Sequence, residues 1–274
     1  MGRVYYYDLD PQIIALIVIL VTIIFFIISF IIVHAFSKVA EASRLKSEFV
    51  GIASHQLRTP LTNIKFSIEY LTSGRIGKLD FHQEEQFKII SQSNERMLKL
   101  VSNLLDLSRI EAGQLVVERN PVSLAEITQS VLDEMESTIE EKNISVTTEM
   151  ASLPPVVGDQ PRLRMIIQNL IDNSVKYNHP GGQVKITSKV GKNSVVWQIT
   201  DTGTGIPKGD RKRVFQKFYR GQQNSKEHSY GTGLGLYIVK AIIEQLGGQI
   251  SFNSGENEGT TFWFTLPIYK LKVG

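Results

Sequence analysis

Between Ile13 and Val33 every residue is apolar except Thr22 and Ser29. A helix over these 21 residues would extend about 31 Å, close to the roughly 30 Å hydrocarbon core of a bilayer. A secretory leader has a shorter apolar stretch followed by a small-residue cleavage site, and a buried soluble helix rarely runs this far without a charge. The stretch therefore reads as a transmembrane helix, residues 13–36, in contact with membrane lipid, behind a short N-terminus of residues 1–12. Lys38, Arg44 and Lys46 follow it, whereas Arg3 precedes it with Asp8 and Asp10. The positive-inside bias puts residues 1–12 outside the cell membrane and the remainder, in a single pass, in the cytoplasm. So short an exterior leaves no room for an external ligand-binding domain.

From Lys38 the sequence is charged and helical, with no proline or glycine before Gly51. Ala42, Leu45, Phe49 and Ile52 begin an apolar seam that continues through Leu57, Leu61, Ile64, Ile68 and Leu71 at alternating four- and three-residue spacing. The helix is expected to end near Thr72-Ser73-Gly74. A second one follows from Phe81 to Ala112, with Ile90, Met97, Val101 and Leu104 on one face and Gly113 as its stop. Two amphipathic helices with a short connection make an antiparallel hairpin. One hairpin cannot cover a wide apolar stripe, but two can, as a four-helix bundle in a homodimer. Residues 37–113 are assigned to this linker and hairpin.

Within the first helix lies Ser54-His55-Gln56-Leu57-Arg58-Thr59-Pro60-Leu61. At about 100° per residue His55 points about 200° away from Leu57, toward solvent. Pro60 removes the N–H that would bond the Gln56 carbonyl, so the helix should bend or loosen there. An imidazole is largely unprotonated near neutral pH and is a competent nucleophile. A solvated histidine without a role has the same appearance.

Residues 114–274 change to an α/β texture. Leu115-Val116-Val117 reads as a short strand. Ser123 with Glu126 reads as a capping box opening a helix to Glu141. A strand is expected over Ile144–Thr148, and Asp159 caps a helix over Gln160–Lys176. Strands over Gln183–Val190 and Asn193–Thr200 flank a turn at Gly191-Lys192-Asn193. A helix over Leu234–Leu246 and a hairpin of Gln249–Ser254 with Thr260–Leu266 close the chain.

Four stretches in this part carry chemistry. Asn169, Asn173, Lys176 and Tyr177 recur at i, i+4, i+7 and i+8, so two amides, an ammonium and a phenol share one helix face. That face suits a cation, phosphates and a base better than a core. Asp201-Thr202-Gly203-Thr204-Gly205 follows a strand; a carboxylate there can accept from an adenine amine while the glycines let backbone approach. Phe215-Gln216-Lys217-Phe218-Tyr219-Arg220 lies in a basic run with Lys208 and Arg211-Lys212-Arg213, and Arg220 can grip a phosphate bidentately. Gly231-Thr232-Gly233-Leu234-Gly235 opens a helix, where bare N–H groups attract anions. It lacks the preceding strand of a dinucleotide fingerprint and the Gly-Lys-Ser/Thr ending of a P-loop. Each stretch has a duller counterpart: a solvated helix face, a plain turn or a charged surface run.

In this order the motifs closely resemble the bacterial sensor histidine kinases of two-component systems, over about Leu45–Pro267. The stretch around His55 is similar to their phosphoacceptor box, and the four later stretches to their N, G1, F and G2 boxes. The resemblance implies a membrane-anchored chain with a dimeric helical phosphotransfer bundle and a two-layer α/β sandwich of the Bergerat (GHKL) ATPase type. It implies ATP and Mg²⁺ as cofactors, with His55 taking the γ-phosphoryl and passing it to an aspartate of a cytoplasmic response regulator. Asn173 would hold the metal, with Asn169 beside it. Lys176 and Arg220 would neutralise phosphates, and Tyr177 would pack near the base. Asp201, with Gly203 and Gly205, would recognise adenine. Gly231, Thr232, Gly233, Leu234 and Gly235 would form the phosphate loop, and Pro207–Tyr230 a mobile lid. Thr59 would orient water for dephosphorylating the regulator.

Gln56 departs from the pattern, since relatives often carry an acid there; an amide can orient the ring but cannot act as a base. The interval from Val33 to His55 is also too short for the relay domain many relatives carry. The rival readings are a GHKL-type ATPase of the gyrase, Hsp90 and MutL kind and a kinase-deficient membrane scaffold or phosphatase. An ATPase of that kind uses a glutamate where Asn169 stands. The absence of cysteine excludes disulfides, thiol catalysis and thiolate metal sites, and the five histidines show no ligand spacing. A net charge of only +3 gives no reason to expect a nucleic-acid partner.

Overall fold

The computed structural model describes residues 11–75, 77–150, 152–221 and 231–270. The expected external segment, most of residues 1–12, and positions 222–230 of the expected lid lie outside these. Helix α1 (Pro11–Thr72) is unbroken over 62 residues and passes through Pro60 without interruption. The expected loosening is therefore not a break. Its first part is long and apolar enough to cross a membrane, by length and composition, and its large side chains there are exposed.

Helix α2 (Phe81–Glu111) opens on a full capping box. Asp80 Oδ1 accepts from the Gln83 N–H at 2.9 Å, and Gln83 Oε1 accepts from the Asp80 N–H at 3.0 Å. The two helices pack antiparallel. Ser47 Oγ donates to the Ser108 carbonyl, and the buried Asn94 Nδ2 donates to the Leu61 carbonyl at 2.9 Å. That register sets His55 level with Leu100. The apolar seam divides between two directions. Leu61, Ile68 and Val101 are buried inside the hairpin, whereas Leu57, Ile64, Ile90 and Met97 remain 42–52% exposed. A helix with one neighbour can bury only the side facing it.

After α2 come β1 (Asn120–Val122), α3 (Leu124–Glu141), β2 (Ser145–Met150), β3 (Val156–Gly158) and α4 (Gln160–Lys176). They are followed by β4 (Gln183–Val190), β5 (Ser194–Asp201), a 3₁₀ turn at Arg211–Arg213, α5 (Gly235–Gln245), β6 (Gln249–Ser254) and β7 (Thr260–Pro267). Five strands form one sheet in the order β2-β4-β5-β7-β6, parallel between β2 and β4 and antiparallel elsewhere. Alternate residues of β5 and β7 point to one buried side, where α3, α4 and α5 cover them. Trp197 and Phe264 are both fully buried there and stack at 5.2 Å, and the indole Nε1–H donates to Thr128 Oγ1 of α3 at 3.0 Å. Burying an aromatic pair and satisfying its one polar atom stabilises the centre of the domain.

The strand expected at Leu115–Val117 is not one. Leu115 is buried, and its carbonyl accepts from the side-chain amide of Gln245. The strand instead forms at β1, which pairs with β3, an element without alternating signal. A strand needs a partner, and β3 lies beside residues 120–122, not 115–117. At the start of α3 the Ser123 hydroxyl accepts from the Glu126 N–H, which is the first half of the expected box.

Candidate active site

Helix α4 organises the site, and both its ends are fixed. Asp159 Oδ1 accepts from the Arg162 N–H at 3.1 Å, with Pro161 in the first turn. At the other end the Lys142 ammonium donates to the carbonyls of Val175 and Lys176 at 3.1 and 3.2 Å. One face is buried through Leu163, Ile166, Ile167, Leu170 and Ile171. The opposite stripe of Asn169, Asn173, Lys176 and Tyr177 is half-buried, as a site wall should be.

The other three stretches converge on this stripe. Asn169 Nδ2 donates back to the Met165 carbonyl at 2.9 Å, which turns Oδ1 toward the glycine loop; a Cβ at Gly235 would lie 2.7 Å from that oxygen. A Cβ at Gly231 would lie 3.3 Å from Lys176 Nζ. Gly203 passes so close to the Tyr177 carbonyl that no side chain fits, and the Thr204 N–H donates to that same carbonyl at 3.0 Å. Gly233 has φ +67° and rests on the backbone of Phe218 and Tyr219, tying the glycine loop to the aromatic-basic stretch. The Gly233 position therefore demands glycine twice, for its dihedral and for its clearance.

Burial, with a lesser push from Arg220, Lys99 and Lys142, lowers the Lys176 ammonium pKa; Asp172 opposes this. Lys176 is half-buried, and its ammonium lies over the Tyr177 ring at 5.0 Å from the centroid. Burial raises the Tyr177 phenol. Burial likewise raises the Asp201 carboxyl, although the Gly203 and Thr260 N–H groups, both bonded to its Oδ1 at 3.0 and 3.1 Å, and the Ser174 hydroxyl pull it down. Both backbone donors bond Oδ1, and neither bonds Oδ2. A hollow of about 760 Å³ opens beside Asp201 between Lys208, Arg211 and Glu258. None of the α4 stripe lines it, so it is not the chamber that the four motifs bound.

His55 is exposed on α1, next to the buried Ser54, and its carbonyl accepts from Thr59 Oγ1 at 3.3 Å. Gln56 and Thr59 are exposed beside it. Among the described residues no hydrogen bond or ion pair joins the His55 ring to the α4 stripe. Residues 45–113 match the His Kinase A (phospho-acceptor) domain, and residues 158–270 match the histidine kinase-, DNA gyrase B- and HSP90-like ATPase family. The chain belongs to the sensor histidine kinases. It is 35% identical over 240 residues to the signal transduction histidine-protein kinase BarA of Escherichia coli, covering 85% of this chain and 26% of that protein. It is 33% identical to the circadian input-output histidine kinase CikA of Synechococcus elongatus, covering 88% of this chain and 32% of that protein. The chain thus spans about a quarter to a third of the length of the curated relatives it matches. Among solved structures it is similar to full-length ShkA in complex with AMPPNP, with a TM-score of 0.66 and 27% identity over 81% of this chain and 46% of that one. It is also similar to the Acinetobacter baumannii histidine kinase AdeS, with a TM-score of 0.56 and 27% identity over 79% of this chain and 98% of that one.

Sequence reasoning missed the α2 side of the site. Lys99 meets Asp172 Oδ2 at 3.1 Å, Asn103 Nδ2 donates to Thr232 Oγ1 at 3.3 Å, and the Arg162 guanidinium meets Asp106 Oδ1 at 2.8 Å. Their four- and three-residue spacing was visible as a polar stripe, but nothing in the sequence named its partner. Lys217 pairs with Glu111, which also holds Lys46 of α1 at 3.1 Å. That pairing lowers the Glu111 carboxyl pKa and raises the Lys217 ammonium pKa.

Proposed function

We propose that this chain is a homodimeric ATP-dependent protein-histidine kinase that labels itself on His55 and passes the phosphoryl group to an aspartate of a response regulator. The observation that carries this reading is the convergence of three separate stretches on the α4 stripe, with Lys176 desolvated among them. In the proposed step an imidazole nitrogen of His55 donates its lone pair to the γ-phosphorus. The bond from that phosphorus to the bridging oxygen breaks, ADP leaves, and the ring gives up its proton to solvent. Positioning and charge neutralisation supply most of what such a transfer requires.

Asp201, with Gly203 and Gly205, would receive adenine, and Tyr177 would pack on it. Lys176, Arg220 and the loop of Gly231, Thr232, Gly233, Leu234 and Gly235 would take the phosphates. The hard amide oxygen of Asn173 would hold Mg²⁺, with Asn169 beside it, and the ion would supply positive charge against the phosphates. No group of three or more histidine, cysteine or acidic side chains suited to a metal occurs among the described residues. Thr59, one turn from His55, would orient water when the regulator is dephosphorylated. Gln56 would orient the ring without serving as base. The apolar start of α1 would anchor the dimer in the cell membrane, N-terminus outside, with the input supplied by lipid or a membrane partner. The chain would divide at residues 12, 36 and 113.

Simple ATP hydrolysis fits less well, because the amide of Asn169 cannot activate water. Incubation with γ-labelled ATP tests the reading. The expected result is an acid-labile, base-stable label that disappears in His55→Ala and Asn173→Ala while both variants remain dimeric. Label retained in His55→Ala, or phosphate released without label, would overturn it.

A further inference from the structure

The polar stripe of α2 is also a docking surface. Lys99, Asn103 and Asp106 share one side of the helix, and each meets a group on the rim of the nucleotide-binding domain: Asp172, Thr232 and Arg162. Asn103 and Asp106 are only 7% and 4% exposed, so their two contacts are desolvated, unlike the exposed Lys99–Asp172 pair. The central contact involves the glycine loop. Thr232 Oγ1 accepts from Asn103 Nδ2 and also from the Leu234 N–H at 3.2 Å. A hydroxyl oxygen has two lone pairs, and these two donors use both. The Leu234 N–H stands where α5 begins, and an anion held at that helix start would draw on the same amide. Docking therefore stabilises an arrangement in which the threonine hydroxyl stands in for a phosphate oxygen at that amide. Lys99 does not offset this, because Asp172 already holds its ammonium.

We propose that the Lys99–Asn103–Asp106 stripe binds the phosphate rim of the chain's own catalytic domain, and that this docking competes with nucleotide binding through Asn103 and Thr232. The inference rests on the reading of Gly231–Gly235 as the phosphate loop. Linkage makes the competition reciprocal: if docking weakens nucleotide binding, bound nucleotide weakens docking by the same factor. A loaded catalytic domain is thereby released from α2, while an empty one stays parked level with His55.

The test uses the full chain in detergent micelles with the non-hydrolysable analogue AMPPNP. Calorimetric titration should show about fivefold tighter binding in Asn103→Ala, the worth of one neutral hydrogen bond. It should also tighten in Asp106→Ala, which loosens docking without touching the loop. In the wild-type chain, saturating analogue should speed amide exchange over residues 99–107. Weaker binding in Asn103→Ala with no change in Asp106→Ala would make Asn103 a support for the loop and overturn the proposal. Unchanged binding in both variants would also overturn it. If Asn103→Ala fails to fold by circular dichroism, the Asp106→Ala titration and the wild-type exchange experiment decide. A wild-type chain that binds no analogue at all would instead sink the nucleotide-site reading itself.

Discussion

The hairpin and the α/β domain use the same raw material, amphipathic helices, and reach opposite degrees of closure. Helix α4 alone buries seven of its 17 residues against the sheet and its neighbours. Over its 62 residues α1 buries only Ser54, Leu61 and Ile68 among those described. A five-stranded sheet gives α4 a floor wide enough for a whole apolar face. The single neighbour α2 covers only one edge of the α1 seam. The α/β domain is therefore complete within one chain, whereas Leu57, Ile64, Ile90 and Met97 of the hairpin have the pattern of a core without its second half.

Three variants test this contrast. The largest effect is expected from Trp197→Ala, which removes the stacked, hydrogen-bonded centre of the closed domain. Its unfolding should lose about 3–5 kcal/mol, measured by urea denaturation with far-ultraviolet dichroism. Helix signal from the hairpin should persist, and simultaneous loss of both regions would show that they fold as one unit. Next is Leu57→Asp with Ile64→Asp on the open face. Within one chain these positions are already wet, so hairpin stability should change little. Self-association measured by light scattering should weaken about a hundredfold, because the charges would be buried in a bundle. An unaltered dimer would mean that another surface joins the chains.

The smallest effect concerns a single group at the mouth of the closed domain. Asp201→Asn keeps an oxygen for the Gly203 and Thr260 N–H groups but turns an amide donor toward the base, and nucleotide affinity should fall about tenfold. The pH dependence has the same origin. Burial raises the Asp201 pKa, so on acidification the proton goes onto Oδ2 at a higher pH than for an ordinary carboxyl. Affinity should decline as pH falls through that raised value and should be flat in the variant. For folding the sign is opposite to that of a salt-bridged carboxylate. A raised folded-state pKa means the native state holds the proton more tightly, so stability declines as pH rises from the ordinary carboxylate pKa through the raised one. Fluorescence titration of a nucleotide analogue across pH measures the binding side, and thermal unfolding measures the other.

Much of this architecture was legible because the signals are local. Glycine and aspartate marked the ends of α2 and α4, β-rich runs on either side of a turn marked β4 and β5, and the Asn169–Tyr177 stripe could be read from helical period. What failed was non-local. Leu115–Val117 has strand composition but no partner strand, while residues 120–122 have little strand signal and a partner in β3. The Lys99–Asn103–Asp106 stripe had visible spacing, yet only the packed structure set it against Asp172, Thr232 and Arg162.

The order of residues alone determined which side chains share a helix face, where the chain turns, and that an apolar span precedes an exposed histidine. These follow from bond geometry and from periods of 3.6 and 2 residues. The tertiary structure decided which apolar face closes and which stays open, that three distant motifs gather at one stripe of α4, and that the glycine loop rests on α2. Those outcomes depend on contacts between residues far apart in the chain, whose partners are selected only when whole surfaces compete for burial.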